Sequence, residues 1–185
     1  MARTPPVTRE SIPEEHRGAF DEYVRERGGV PTGGPGSVLL NAPEVAKRAL
    51  GLAGYLRGET SLTPRIRELA MLVTAREMDC QHIWNAHAAS AKQAGIDPDI
   101  VDSLRDEVEL PDLAPDEAAT ITYGREFFQT HHVSRGGFQA ALEQFGRQGL
   151  VELTMLMGNY ALLAFTINAF DSDLPPDRTE PLLPI

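Results

Sequence analysis

ELAMLVTAREMDCQHIWNAH, residues 68–87, decides the fold and carries most of the chemistry. Just upstream, Thr63-Pro64 offers an N-cap followed by a proline at the first helical position. Ile66, Leu69, Ala70 and Val73 then recur at helical spacing, an apolar stripe with a polar back. Asp79 is placed to cap a second helix from Cys80 to Ala94, which Gly95 would stop. The stretch therefore predicts two consecutive helices. It also gathers an acid (Glu68), the single cysteine of the chain (Cys80) and two imidazoles (His82, His87).

Helical punctuation continues in both directions. Pro13 to Gly28 has acids in its first turn and basic residues before a glycine, a sensible helix. GGVPTGGPGS, residues 28–37, is too rich in glycine and proline for a helix or a central strand. Leu39 to Arg57 resumes a helical pattern that Pro43 can open. Asp97-Pro98 caps a helix ending near Arg105, and Pro115 opens one reaching about Gln129. Ser134 to Phe145 and Gln148 to Phe170 supply the last two. No alternating, β-branched run interrupts them, so the chain reads as all-α with about seven to eight helices. Residues 1–12 read as a loose arm and 171–185 as an extended tail packing on a neighbouring surface, both attached to a single domain spanning 1–185. Glu68-Leu-Ala-Met-Leu72 is echoed at Glu152-Leu-Thr-Met-Leu156, a short match that leaves internal duplication open.

Bulk composition narrows the function. A chain of 185 residues that is 42% hydrophobic and 24% charged is an ordinary globular protein. With 27 acidic against 17 basic side chains its net charge is −10, which argues against a nucleic-acid surface. One cysteine excludes an internal disulfide. The N-terminus has no apolar core of the signal-peptide kind, and the apolar stretch 150–170 is broken by Glu152, Asn159 and Asn168. The expectation is a cytoplasmic protein with no membrane or nucleic-acid partner.

On one continuous helix, residues seven apart share a face but lie roughly 10.5 Å apart, so Cys80, Ile83 and His87 form a stripe without touching end to end. Glu68 reaches that stripe only if the two helices fold back on each other. A cysteine in a first helical turn would have its thiol pKa lowered by the helix dipole. Bland alternatives stand beside this: a core cysteine, a structural histidine at His87, a solvated Glu68, and a Trp84 that belongs to the core or an interface. A zinc site from Cys80, His82 and His87 lacks both the spacing of zinc motifs and a fourth ligand. Arg65, Arg67 and Arg76 are the nearby cations and read as surface groups or as partners of Glu68 and Glu77.

The stretch Leu39 to Gly95, with its "SLTPRIRELAMLVTAREMDCQHIWNAHAASAKQAGI", resembles the carboxymuconolactone decarboxylase family, which includes the alkylhydroperoxidase D proteins. "LVELTMLMGNYALLAFTINAF" is similar to the matching C-terminal part. In alkylhydroperoxidase D proteins the pattern is a glutamate, then Cys-x-His-Cys, then a further histidine. Glu68, Cys80, His82 and His87 occupy matching positions, but Ile83 stands where the second cysteine would be. The peroxidase chemistry of that branch runs through a disulfide this chain cannot form.

The resemblance implies an alkylhydroperoxidase D-like helical domain, chemistry without metal or cofactor, and a homo-oligomer, a trimer or hexamer. It implies Glu68, Cys80 and His87 as catalytic groups, with His82 and Trp84 as substrate contacts. The leading expectation is a cofactorless lyase acting by acid–base steps on a small organic acid or lactone. His87 would act as general acid or base, since imidazoles exchange protons near neutral pH, and Glu68 would orient it. One alternative is a one-cysteine thiol peroxidase using Cys80 and an external thiol. The other is a non-catalytic helical oligomer.

Overall fold

The computed structural model describes residues 2–174 and 178–185. Two 3-10 turns, Arg9–Ser11 and Glu14–His16, lead into α1 (Arg17–Arg27), α2 (Gly34–Leu39), α3 (Pro43–Gly58) and α4 (Pro64–Glu77). The chain continues through α5 (Gln81–Gln93), α6 (Pro98–Asp106), α7 (Pro115–Thr130) and α8 (Arg135–Phe170). No strand occurs among the described residues. The fold is all-α, with eight α-helices among the described residues.

Proline begins α3, α4, α6 and α7, at a position where the missing N–H costs no helical bond. Side-chain caps complete several starts. Thr63 accepts from the Ile66 N–H, Asp97 from the Asp99 N–H and Ser134 from the Gly137 N–H. Within α8, Gly146 takes φ 65°, ψ −177°, so the run is two helices joined at a kink, as the sequence predicts. Positive φ of this kind is cheap only for glycine.

Helix α4 is the centre of the bundle and packs on α5, α7 and α8. Its Leu69, Ala70, Leu72 and Ala75 are completely buried. The echoed motif on α8 behaves alike, with Leu153 and Leu156 equally buried. The two glutamates of the echo take different partners: Glu68 meets His87, and Glu152 meets Ser61, Tyr55 and Gln148. By length and composition α8 could cross a membrane, yet half of its most apolar window is buried inside the bundle.

Close packing at the α4–α7–α8 junction depends on Gly124. A Cβ added there would lie 2.7 Å from Val73 Cγ1 and 3.0 Å from Met157 Cε. Gly124→Ala is expected to destabilise the fold by about 1–3 kcal/mol through overpacking, measured by urea unfolding. A variant as stable as the parent would show that this junction is loose.

Three expectations need correction. The segment 28–37 is not all loop, because α2 begins inside it: Gly34 turns the chain at φ 65° and Pro35 occupies the first turn, where no N–H is required. Residues 1–12 are not a loose arm. Val7 and Ile12 are buried in a second apolar cluster with Phe20, Tyr23 and Leu40, and Arg3 bonds the carbonyls of Ala169 and Phe170. Arg65, Arg67 and Arg76 do not pair as expected: Arg65 bridges Asp116 and Glu117 on α7, Arg67 donates to the Leu62 carbonyl, and Arg76 is buried against Asp79 and Glu107. Glu180 and Leu183 of the C-terminal segment are bonded to α5. The Gln81 amide both donates to and accepts from the Leu183 backbone, Asn85 donates to the Glu180 carbonyl, and Lys92 pairs with Glu180 at 2.8 Å. Residues 175–177 of that tail lie outside the described part.

Candidate active site

The hairpin of α4 and α5 brings Glu68 and His87 together. His87 Nδ1 lies 2.9 Å from Glu68 Oε2. An ionised carboxylate only accepts, so Nδ1 carries the proton and donates it. That fixes the tautomer and leaves Nε2 as the acceptor nitrogen of the ring. Both side chains are about one-fifth exposed, sheltered but reachable.

Two further residues belong to this cluster and were not legible in the sequence. Tyr160, from α8, meets the His87 ring edge-on with centroids 5.2 Å apart. Burial above all pushes its phenol up to about 12, with the Arg57 charge opposing and the Glu68 charge adding. It therefore keeps its proton and remains a donor at neutral pH. Arg57, near the end of α3, is the cation beside it. Tyr160 reads in the sequence as one more core residue of α8, and only the packing of α8 on α5 shows what it faces.

Cys80 departs from expectation. It is itself the N-cap residue of α5, with φ −95° and ψ 91°. Asp79 does not cap; it takes a left-handed φ of 46° and pairs with Arg76 at 2.6 Å. The sulfur is fully buried in the main apolar core. Burial pushes its thiol up, against the lowering effect of the backbone N–H groups of Ile83 and His82. The helix terminus acts in the anticipated direction and loses to desolvation.

His82 points away from this pair into a cavity of about 550 Å³ between the N-terminal segment, Thr32–Val38 and Asp173. Its Nδ1 lies 3.2 Å from the Asp173 carbonyl. A Cβ on Gly34 would fall 2.7 Å from its Nε2, so the ring rests on bare backbone. Burial lowers its pKa and favours the neutral ring. Trp84 is 1% exposed, belongs to the main core and does not line this cavity. Among the described residues, no group of three His, Cys, Asp or Glu side chains is arranged to hold a metal ion.

Among the described residues the structure is an eight-helix bundle in which a glutamate on α4 is hydrogen-bonded to a histidine on α5. The fold is alkylhydroperoxidase D-like, and Ile83 stands where the Cys-x-x-Cys motif of such proteins has its second cysteine. Residues 43–126 match the model of the carboxymuconolactone decarboxylase family. An uncharacterised peroxidase-related protein from Ralstonia eutropha JMP134, with an alkylhydroperoxidase AhpD core, superposes with a TM-score of 0.71. It is 17% identical, over 95% of this chain and 93% of that one. A peroxidase-related protein from Silicibacter sp. TM1040 gives 0.70 at 15% identity, over 96% and 95%. A cysteine-to-alanine variant of the debrominase Bmp8 in complex with 2,3,4-tribromopyrrole gives 0.68 at 12% identity, over 95% of each chain. No curated protein sequence matches the chain significantly.

Proposed function

We propose that the protein is a cofactorless acid–base enzyme acting on a small carboxylated lactone or related organic acid. The observation that carries this reading is the contrast between its two reactive groups. The Glu68–His87 pair is oriented and reachable, whereas Cys80 is sealed in the core with its thiol pushed up. In a decarboxylation the bond between the carboxylate carbon and the ring breaks and carbon dioxide leaves. The electron pair passes into the conjugated carbonyl system as a dienolate. Protonated His87 returns a proton to carbon through Nε2, and Glu68 stabilises the imidazolium through Nδ1–H. The Tyr160 O–H is a further donor at the same cluster, held protonated by burial.

A thiol peroxidase is the second reading. The backbone N–H groups of His82 and Ile83 directed at Cys80 favour it, as do the peroxidase-related names of the structural neighbours. Screening carboxylated γ-lactones, alkyl hydroperoxides and a halogenated pyrrole against the parent and Cys80→Ser separates the two. Lactone turnover that survives Cys80→Ser supports the acid–base reading. Peroxide or pyrrole turnover that Cys80→Ser abolishes overturns it. Silence of the parent towards every compound would favour a non-catalytic oligomer.

A homo-oligomer, a trimer or hexamer, forms part of the same proposal, as does a cytoplasmic setting. Val151, Met155, Gly158, Leu162 and Phe165 lie on α8 at alternating spacings of four and three. They form an exposed apolar seam with the period of a helix–helix interface. Phe165, 71% exposed, is its most protruding member. Leu162→Glu combined with Phe165→Glu is expected to give monomers in light scattering, with helicity retained. An unchanged mass would remove the seam from the assembly.

A further inference from the structure

A cavity of about 80 Å³ lies between α1, α2, α3 and α8, lined by Tyr23, Arg27, Gly36, Arg57, Asn159 and Leu163 among others. Three observations mark it as built for an anion. First, two guanidiniums converge on it, and among the described residues neither Arg27 nor Arg57 is in an ion pair. In a chain of net charge −10, where Arg9, Arg48, Arg65, Arg76 and Arg105 hold carboxylates, two arginines without an ion pair meet at one opening. Second, Asn159 Nδ2 is buried with no hydrogen-bond partner. Buried donors are nearly always satisfied, so an orphan that lines a cavity awaits an acceptor. Third, no carboxylate lines the cavity.

Its position is equally pointed. Asn159 immediately precedes Tyr160, whose ring meets His87, and Arg57 both lines the cavity and acts on the Tyr160 phenol. The volume holds two or three waters at roughly 30 Å³ each, which suits a carboxylate group but not a whole ring. We infer that Arg57, Arg27 and Asn159 form the subsite that takes the substrate's carboxylate, with the rest of the molecule laid against Tyr160 and His87. The planar guanidinium fork matches a carboxylate with two parallel bonds, and the Asn159 amide adds a third donor. This assignment rests on the acid–base reading of Glu68 and His87. It makes Arg57 and Asn159 binding residues and gives the enzyme a requirement for an anionic group.

Calorimetric titration of the full-length protein with γ-butyrolactone-3-carboxylate, and with uncharged γ-butyrolactone as control, tests it. The parent is expected to bind the carboxylated lactone at least tenfold more tightly than the control. Arg57→Gln and Asn159→Asp should each remove most of that preference, and Arg57→Lys should retain part of it, with circular dichroism confirming that each variant is folded. Arg48→Gln, at an exposed arginine of α3 that does not line the cavity, should bind the carboxylated lactone within about threefold of the parent. A parent without preference for the carboxylate, or a preference that survives both Arg57→Gln and Asn159→Asp, overturns the subsite. A preference that is present and lost in those variants, in a protein that turns over no lactone acid, upholds the subsite and sinks only the acid–base reading.

Discussion

His87→Gln is expected to lower kcat on a lactone-acid substrate by about 10²–10⁴-fold, the usual contribution of one positioned proton-transfer group. Glutamine keeps a donor and a similar length, so Glu68 retains a partner and the fold should hold. What disappears is a nitrogen able to exchange protons at the position of Nε2. Because the proton moves only in the transition state, kcat and kcat/KM should fall together, with KM little altered. Glu68→Gln should act in the same direction. An amide at that position can still accept from Nδ1–H at 2.9 Å, but it no longer stabilises the imidazolium by charge. Cys80→Ser should leave kcat within a few-fold, since the sulfur is buried in the main core. Wild-type turnover by His87→Gln would remove the imidazole from the mechanism.

The helical plan was legible because its punctuation is local. Prolines at first helical positions and the Thr63, Asp97 and Ser134 caps act within one turn, so sequence spacing reports them directly. The Glu68–His87 pairing was legible only as a possibility of the α4–α5 hairpin, and the hairpin realises it. Cys80 shows where local reasoning stops. The backbone N–H groups near its sulfur are a sequence-local effect, but the apolar environment that outweighs them comes from residues distant in the chain. Asp79 looked like a cap until Arg76 claimed its carboxylate. Arg57, Asn159 and Tyr160 gave no signal, because their convergence needs α3 and α8 to meet near α5. The short helix α2 escaped notice because glycine and proline usually end helices. Here Gly34 and Pro35 start one, and the His82 ring occupies the space a side chain at position 34 would fill.

Glu152→Ala is expected to cost stability on the order of 2–3 kcal/mol, and the cost should depend on pH in a defined direction. The carboxylate accepts from the Ser61 N–H at 2.8 Å, the Ser61 hydroxyl at 2.6 Å, the Tyr55 hydroxyl at 2.8 Å and the Gln148 amide at 2.9 Å. These bonds clamp α8 to the end of α3 and to the turn before α4, the segments that position Arg57 and Glu68. Removing the acceptor abandons four donors. Tyr55 and Ser61 can turn to water, which keeps the loss to about 2–3 kcal/mol rather than a full penalty for each donor. Burial on its own would raise the Glu152 carboxyl, but the bonds from Ser61, Gln148 and Tyr55 together outweigh it and hold it at about 2. A carboxyl depressed on folding stabilises fully above its unfolded value of about 4.3 and loses that contribution as pH falls towards the folded value. Urea unfolding of the parent and of Glu152→Gln should therefore differ most near pH 6 and converge as the pH drops below about 4. A gap that stays constant across that range would mean that shape, not charge, makes Glu152 matter.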